Sequence, residues 1–234
     1  MHGGRIPFRT GLRDTHDAMS PAFMALLQEA SKPTAWCLDI GCGEGRVALT
    51  LAPLVRWVVG IDLRRGKIKS ARERAEQEGM SNAQFLLVDA EQTSYRDLAP
   101  TGWFQLISSK LWLTEAIIRR AAEALSVDGR FVATCFETSQ WRETGLGVGG
   151  AYSEKRLRRV LAAAGLEPVE LAVETRTMEF ESIEQLHEYL PSRQIERWRA
   201  DGRWRNIEDN FDAGERGLTD SRIVFSARRA DGGK

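Results

Sequence analysis

The chain has little cysteine, no excess of either charge and no long apolar run. Its cysteines are three, Cys37, Cys42 and Cys135, odd in number and without a C-x-x-C pair. Neither a disulfide framework nor a thiolate zinc site is therefore expected. Lys plus Arg number 33 and Asp plus Glu 33, which excludes a chain-wide electrostatic grip on nucleic acid or anionic lipid. No run of about 18 apolar residues occurs, so no membrane-spanning helix is expected. The stretch before Met19 is polar and basic rather than apolar, so no secretory signal is read there, and a reducing cytoplasm is the expected compartment. Repeats and low-complexity tracts are also missing.

The 234 residues, 42% hydrophobic and 28% charged, are enough to bury a core without a metal or disulfide staple. The first dozen residues read as loose. Phe23, Leu26, Leu27 and Ala30 mark an amphipathic helix that Pro33 ends. Short apolar runs then alternate with helical patterns. Strands are expected at 36–40, 57–61, 85–88, 104–108, 130–136 and 166–173. Helices are expected at 46–54, 67–78, 114–125 and 154–164, with Gly79 and Gly165 closing two of them. Strands separated by single helices imply βαβ crossovers and a largely parallel, doubly covered sheet. In the tail, Ser182-Ile-Glu-Gln185 is a capping-box pattern opening a helix to about Tyr189. Pro191 breaks it, 193–200 is helical, and 219–228 reads as a last strand, antiparallel to the rest.

The stretch that carries chemistry is Leu38-Asp-Ile-Gly-Cys-Gly-Glu-Gly-Arg46. It leaves a strand and enters a helix. Gly41, Gly43 and Gly45 let the backbone turn sharply and approach a ligand without a Cβ. The spacing is G-x-G-x-G, not the dinucleotide G-x-G-x-x-G, and no Gly-Lys-Ser/Thr follows, so a pyrophosphate or nucleoside triphosphate is disfavoured. Asp62 ends the second strand, where a carboxylate can accept both hydroxyls of a ribose. Asp89, in Val88-Asp-Ala90, ends the third and can accept from an exocyclic adenine amine.

These segments, with Phe104-Gln-Leu-Ile-Ser-Ser109 and Leu125-Ser-Val-Asp-Gly-Arg-Phe-Val132, resemble the class I S-adenosylmethionine-dependent methyltransferases from about Trp36 to Val173. The tail Phe180-Glu-Ser-Ile-Glu-Gln-Leu186 and Tyr152-Ser-Glu-Lys155 resemble the methyltransferase-11, small-molecule type. The resemblance implies a Rossmann-like sheet of order 3-2-1-4-5-7-6, strands counted from Trp36, with strand seven antiparallel and helices on both faces. It implies S-adenosylmethionine as cofactor, held by Asp39, Gly41, Cys42, Gly43, Gly45, Asp62, Leu63, Asp89, Ala90 and Ser109. The family often has Asp early in strand four, where this chain has Gln105. The Asn/Asp-Pro-Pro-aromatic element of base- and glutamine-methylating enzymes is missing from the strand-four tip.

The domain reading is a segment and helix at 1–30 covering the site, then a methyltransferase domain at 31–234 with a helical insertion at 178–215. The expected reaction is in-line transfer of the methyl group to a small-molecule acceptor in an enclosed pocket. The pocket is expected over the carboxyl end of the sheet, between the N-terminal segment, the strand-four tip with Trp112, and the Gly145–Gly150 loop. Candidates for orienting or deprotonating the acceptor are Lys110, His16 and Tyr152, each also consistent with a plain solvated or structural role, which is the favoured reading for Lys110 and His16. Trp198, Trp204 and the surrounding arginines leave open an RNA or protein methyltransferase, although acidic residues interleave with them. A non-catalytic binding subunit on the same fold is the third reading. No metal, no membrane and a monomer or homodimer are expected.

Overall fold

The computed structural model describes residues 19–230 and the backbone of 5–7. Eight strands form one sheet: β1 (Arg5–Pro7), β2 (Trp36–Ile40), β3 (Trp57–Asp62), β4 (Ala83–Leu87), β5 (Phe104–Lys110), β6 (Leu125–Phe136), β7 (Leu166–Glu179) and β8 (Gly217–Arg229). Their order is β1-β7-β8-β6-β5-β2-β3-β4. Counted from Trp36, this is 3-2-1-4-5-7-6, as the resemblance implies, with β8 antiparallel. Pairings β2–β3, β2–β5, β3–β4 and β5–β6 are all parallel. Within the first dozen residues, read as loose, the described residues 5–7 form a strand. Arg5–Pro7 pair in parallel with Thr177–Glu179, covering what would otherwise be an open edge. An edge position also tolerates Pro7, which has no N–H to give.

By internal contacts the chain divides into two units. The larger holds Ser20–Cys135, Glu154–Ala172 and Val224–Lys234; the smaller holds Met1–Met19, Phe136–Ser153 and Val173–Ile223.

In the larger unit the helices follow from capping and spacing. Helix α1 (Pro21–Ala30) starts at Ser20, whose Oγ accepts from Phe23 N at 3.1 Å, with Pro at its first position, and it buries Phe23, Leu26 and Leu27. Full burial of a side chain such as Phe23 stabilises by about 1.5–3 kcal/mol. Helix α2 (Arg46–Leu51) is shorter than expected because Pro53 tightens residues Ala52–Leu54 into a 3₁₀ turn. Helix α3 (Arg65–Gln77) ends at Gly79, which is left-handed at φ +67°. Helix α4 (Glu115–Ala124) is capped by Thr114, and α5 (Glu154–Ala163) stops before Gly165 at φ +74°. The stretch Val127-Asp-Gly129, which precedes the strand expected at 130–136, is part of β6 and forms an irregularity opposite Phe104 and Leu106. Gln105 has a clear job. Its Oε1 accepts the N–H of Trp36 at 2.8 Å and so ties β5 to the start of β2.

In the smaller unit, the facing ends of β7 and β8 run antiparallel. Thr175 Oγ1 lies 2.7 Å from Ser221 Oγ, Thr177 Oγ1 lies 3.3 Å from Thr219 Oγ1, and Phe180 N donates to Arg216 O at 3.0 Å. Helices α6 (Ile183–Tyr189), α7 (Ser192–Ala200) and α8 (Arg203–Asp212) lie between these strands in sequence. Sequence reading missed α8. Ser182 stands at the start of α6 without capping it; Gln185 instead accepts from the Glu181 amide at 2.9 Å. The unit has its own apolar cluster around Trp198, which meets Trp141 edge-to-face at 5.1 Å, with Phe180, Leu186, Ile195 and Ile207. His187 stacks edge-on against Trp204 at 4.6 Å, a packing role.

Candidate cofactor site

Strand β2 ends at Ile40 and α2 begins at Arg46, leaving five residues to reverse the chain. Gly41, Gly43 and Gly45 sit at φ +67°, +54° and +80°. A residue with a Cβ pays about 1–2 kcal/mol at each such position. The three glycines have different surroundings. A Cβ on Gly41 would meet, within 4 Å among the described residues, only Trp112, and one on Gly43 only Arg64 Nη2 at 3.9 Å. Among the described residues, both therefore face largely open space. A Cβ on Gly45 would come within 2.9 Å of Phe85 Cζ, so this glycine serves packing under the loop. Gly60 in β3 has the same neighbour, at 2.6 Å from Phe85 Cδ1.

The loop is pinned from below and from the side. Cys42 N donates to Ile61 O at 2.9 Å and Gly45 N to Cys42 O at 2.9 Å. Gly43 N donates to Asp62 Oδ2 at 3.0 Å. Asp62 also accepts at Oδ1 from Arg64 N (2.8 Å) and Nε (3.1 Å), and at Oδ2 from Arg64 Nη2 (3.2 Å). Burial works to raise its pKa, but the Arg64 fork and the two amides outweigh burial and hold the carboxyl below its ordinary range.

Asp39 is the buried carboxylate of the site, 1% exposed. Its Oδ1 accepts from Ser108 Oγ at 2.9 Å, across the register pair Asp39–Ser108, while Oδ2 is buried without a hydrogen-bond partner. Burial pushes its pKa up to about 7, against the pull of the Ser108 hydroxyl, the Ala48 amide and the Lys110 charge. An acid held near neutrality with one orphaned oxygen suits a cationic ligand group, which would favour its ionised form. Cys42 is buried, and burial with the neighbouring carboxylates raises its thiol pKa, so it contributes backbone and not a nucleophile.

The other expected residues divide. Leu63 follows Asp62 and is 65% exposed, an apolar surface beside the carboxylate. Asp89 closes a turn: its Oδ1 accepts from Glu91 N at 2.8 Å, and Ala90 O accepts from the buried Tyr95 hydroxyl at 2.8 Å. Ser109 is fully buried and its Oγ donates to Trp112 O at 2.5 Å, so it shapes the strand tip. Lys110 ends β5 half-buried, followed by Leu111 in the left-handed region at φ +61° and by Trp112, 54% exposed. A leucine at positive φ is strained, and such strain concentrates at functional sites. Tyr152 belongs to the smaller unit, where it is 2% exposed and its N–H donates to Phe136 O at 2.9 Å. His16 and the rest of the expected cover over residues 8–18 lie outside the described residues.

Two residues of the site were not singled out from sequence. Ser108 follows once β2 and β5 are placed in register, since it stands opposite Asp39. Arg64 offers only its position two residues after an aspartate, the spacing at which a carboxylate caps a following amide. Among the described residues no group of three or more His, Cys, Asp or Glu is arranged to hold a metal, and no helix is long and apolar enough to cross a membrane.

Comparison with known proteins bears on the family and the fold. A family model described as a methyltransferase domain matches residues 31–165. The 23S rRNA (uracil(1939)-C(5))-methyltransferase RlmD of Xanthomonas campestris pv. campestris (strain 8004) is 40% identical over 90 residues, 38% of this chain and 19% of that protein. The chain thus matches about a fifth of the length of that relative. Among solved structures, the YcgJ protein from Bacillus subtilis aligns with TM-score 0.66 at 16% identity, covering 90% of this chain and 99% of that one. Magnesium protoporphyrin IX methyltransferase (ChlM) from Synechocystis PCC 6803, solved with bound SAM, aligns with TM-score 0.56 at 16% identity, covering 89% and 76%. With the strand order, the glycine turn and the carboxylates at the ends of β2 and β3 already in place, the family match settles kinship: the chain belongs to the class I S-adenosylmethionine-dependent methyltransferases.

Proposed function

We propose that the loop Gly41–Gly45, Asp39, Asp62, Leu63, Asp89, Ala90 and Ser109 form the seat of S-adenosylmethionine, and that the protein transfers its methyl group to a small-molecule acceptor. The observation that carries the reading is the bond from Gly43 N to Asp62 Oδ2, which joins the glycine turn to the ribose-binding carboxylate. S-adenosylmethionine brings a methyl group already activated on a sulfonium. What remains for the chain is to bind, orient and exclude water. Asp62 accepts the ribose hydroxyls. Asp89, with Oδ1 engaged by the Glu91 amide, has Oδ2 for the adenine amine. Leu63 and Ala90 supply apolar surface for the ring, and Asp39 lies below the loop to neutralise the cationic end. Holding donor and acceptor in line contributes up to about 7–11 kcal/mol. A positioned base adds about 10²–10⁴-fold where the acceptor must lose a proton. Lys110, at the end of β5, is the candidate for meeting the acceptor.

The small-molecule reading is supported by what became of the tryptophans that suggested RNA. Trp198 is fully buried and Trp204 is 3% exposed with its Nε1 donating to Glu208, so neither offers a face on which a base can stack. A groove of about 930 Å³ in the same unit is lined by five acidic residues, Glu181, Glu184, Glu208, Asp209 and Asp212, against three arginines, a balance that repels phosphate. RNA is the second reading because of the RlmD likeness. The test incubates the protein with methyl-labelled S-adenosylmethionine and, separately, a deproteinised small-metabolite fraction and total RNA. Label in the metabolite fraction alone is expected. Label in RNA alone overturns the choice of acceptor, and failure to bind either S-adenosylmethionine or S-adenosylhomocysteine overturns the whole reading.

A further inference from the structure

The carboxylate that should receive the ribose is already full. Asp62 has two oxygens and about four lone-pair sites. Four N–H donors reach them: Gly43 N at 3.0 Å and Arg64 Nη2 at 3.2 Å on Oδ2, Arg64 N at 2.8 Å and Arg64 Nε at 3.1 Å on Oδ1. Two of the four are backbone amides fixed by the loop and by the start of α3. The other two are the tines of one guanidinium, a fork well matched to a carboxylate. Its side chain is 65% exposed while that of Asp62 is 5% exposed, so the Arg64 side chain is the part with room to leave. The same Nη2 is the only described atom within 4 Å of a Cβ built on Gly43, which puts the guanidinium over the open side of the glycine turn.

We propose that Arg64 is a determinant of cofactor affinity, its guanidinium competing with the ribose diol for the same oxygens of Asp62 and withdrawing when the cofactor binds. The inference rests on the cofactor reading given above and concerns a residue that reading does not use. Its logic is that of a minor binding-competent state. If the carboxylate is open for only a fraction of the time, the apparent affinity falls by that fraction, whatever the ligand's other contacts. Two features keep the fraction from being very small. The guanidinium is mostly in water, where an ion pair is weak. The Arg64 amide stays on Oδ1 when the side chain leaves, so Asp62 remains aimed.

The mechanism has a signature that separates it from direct contact or simple repulsion. S-adenosylmethionine bears a sulfonium and S-adenosylhomocysteine does not, but the competition is over ribose hydroxyls that both possess. Removing the guanidinium must therefore tighten both ligands by the same factor. The experiment measures both dissociation constants by calorimetry for the wild-type chain, Arg64→Ala and Arg64→Gln, with thermal melts as a check on folding. The expected result is a gain of roughly three- to tenfold for each ligand in Arg64→Ala, at an unchanged ratio between the two, and a gain in the same direction in Arg64→Gln. Unchanged affinity, weaker binding of both ligands, or a gain confined to S-adenosylmethionine each overturns the inference. The last would mean charge repulsion of the sulfonium. Binding of neither ligand by any of the three proteins would instead remove the cofactor reading, and this inference with it.

Discussion

The amide of Gly43 points at the carboxylate of Asp62, 3.0 Å away, and not into the open side of its own turn. Loop and strand end are thus one rigid piece before any ligand arrives, which reduces the ordering cost of binding. On the cofactor reading proposed above, Asp62 serves the seat's shape as well as recognition.

Asp62→Ala should therefore lose twice. The ribose hydroxyls lose their acceptor, at about 1.5–3 kcal/mol per charge-assisted bond before compensation, and Gly43 loses the group that fixes its turn. Calorimetry with S-adenosylhomocysteine should show affinity reduced at least tenfold, with the far-ultraviolet dichroism of the folded chain retained. Undiminished binding would place the ribose elsewhere.

Asp39 gives a pH dependence with a definite sign. Its folded pKa is raised, from 3.8 to about 7, so the folded state holds a proton that the unfolded chain releases. That contribution is fully present below about pH 4, declines between pH 4 and 7, and is gone above 7. A shift of this size corresponds to at most about 4 kcal/mol. Asp39→Asn keeps the shape and an acceptor for Ser108 while removing the titration. Urea melts should find the variant gaining on the wild type as pH rises from 4 to 7.5. Parallel pH profiles for the two proteins would show that Asp39 is ionised throughout.

Phe85 sits against two glycines, and the two should respond differently. Gly60→Ala places a Cβ 2.6 Å from the ring, with no left-handed backbone to strain. Overpacking of this kind costs about 1–3 kcal/mol, and Phe85→Val, which removes the offending ring atoms, should recover part of it. Gly45→Ala adds a left-handed φ of +80° to the same clash, so the same partner change should recover less. Double-mutant cycles by denaturant unfolding measure both couplings.

Trp198 lies at the centre of the smaller unit's apolar cluster and is fully buried. Trp198→Ala should destabilise the chain by about 3–5 kcal/mol through the cavity it leaves. A shift in RNA retention with no loss of stability would return that tryptophan to a binding role.

The parts of the molecule legible in the sequence are those where period and punctuation agree. Strands β2, β3 and β5 are continuous apolar runs because both their faces are covered, and the glycines at 41, 43 and 45 announce a turn that only left-handed residues can make. Asp62 and Asp89 were placed by strand ends alone. What could not be read depends on contacts across the sequence. Ser108 gains its role from the register that sets it opposite Asp39, and Arg64 from a guanidinium that folds back on its neighbour. Helix α8 was missed because Gly202 and the charged Arg203-Trp-Arg-Asn206 stretch hide its apolar positions, Trp204 and Ile207. The tail tryptophans were ambiguous for the same reason: an aromatic among arginines looks alike whether it faces water or a core.

All three cysteines are buried, at most 8% exposed, and burial raises the thiol pKa of Cys37 and Cys42 above the ordinary value. A thiol dye reacts with thiolate that it can reach, and the native chain presents almost none. Colour development in native buffer is then a clock for opening. Cys37 lies within β2 and Cys42 within the glycine turn, so a first fast equivalent would time the breathing of the turn. The remaining thiols would wait for the sheet to part. Ligand that seals the turn should slow the first equivalent, which makes a spectrophotometer enough to watch the cofactor seat close.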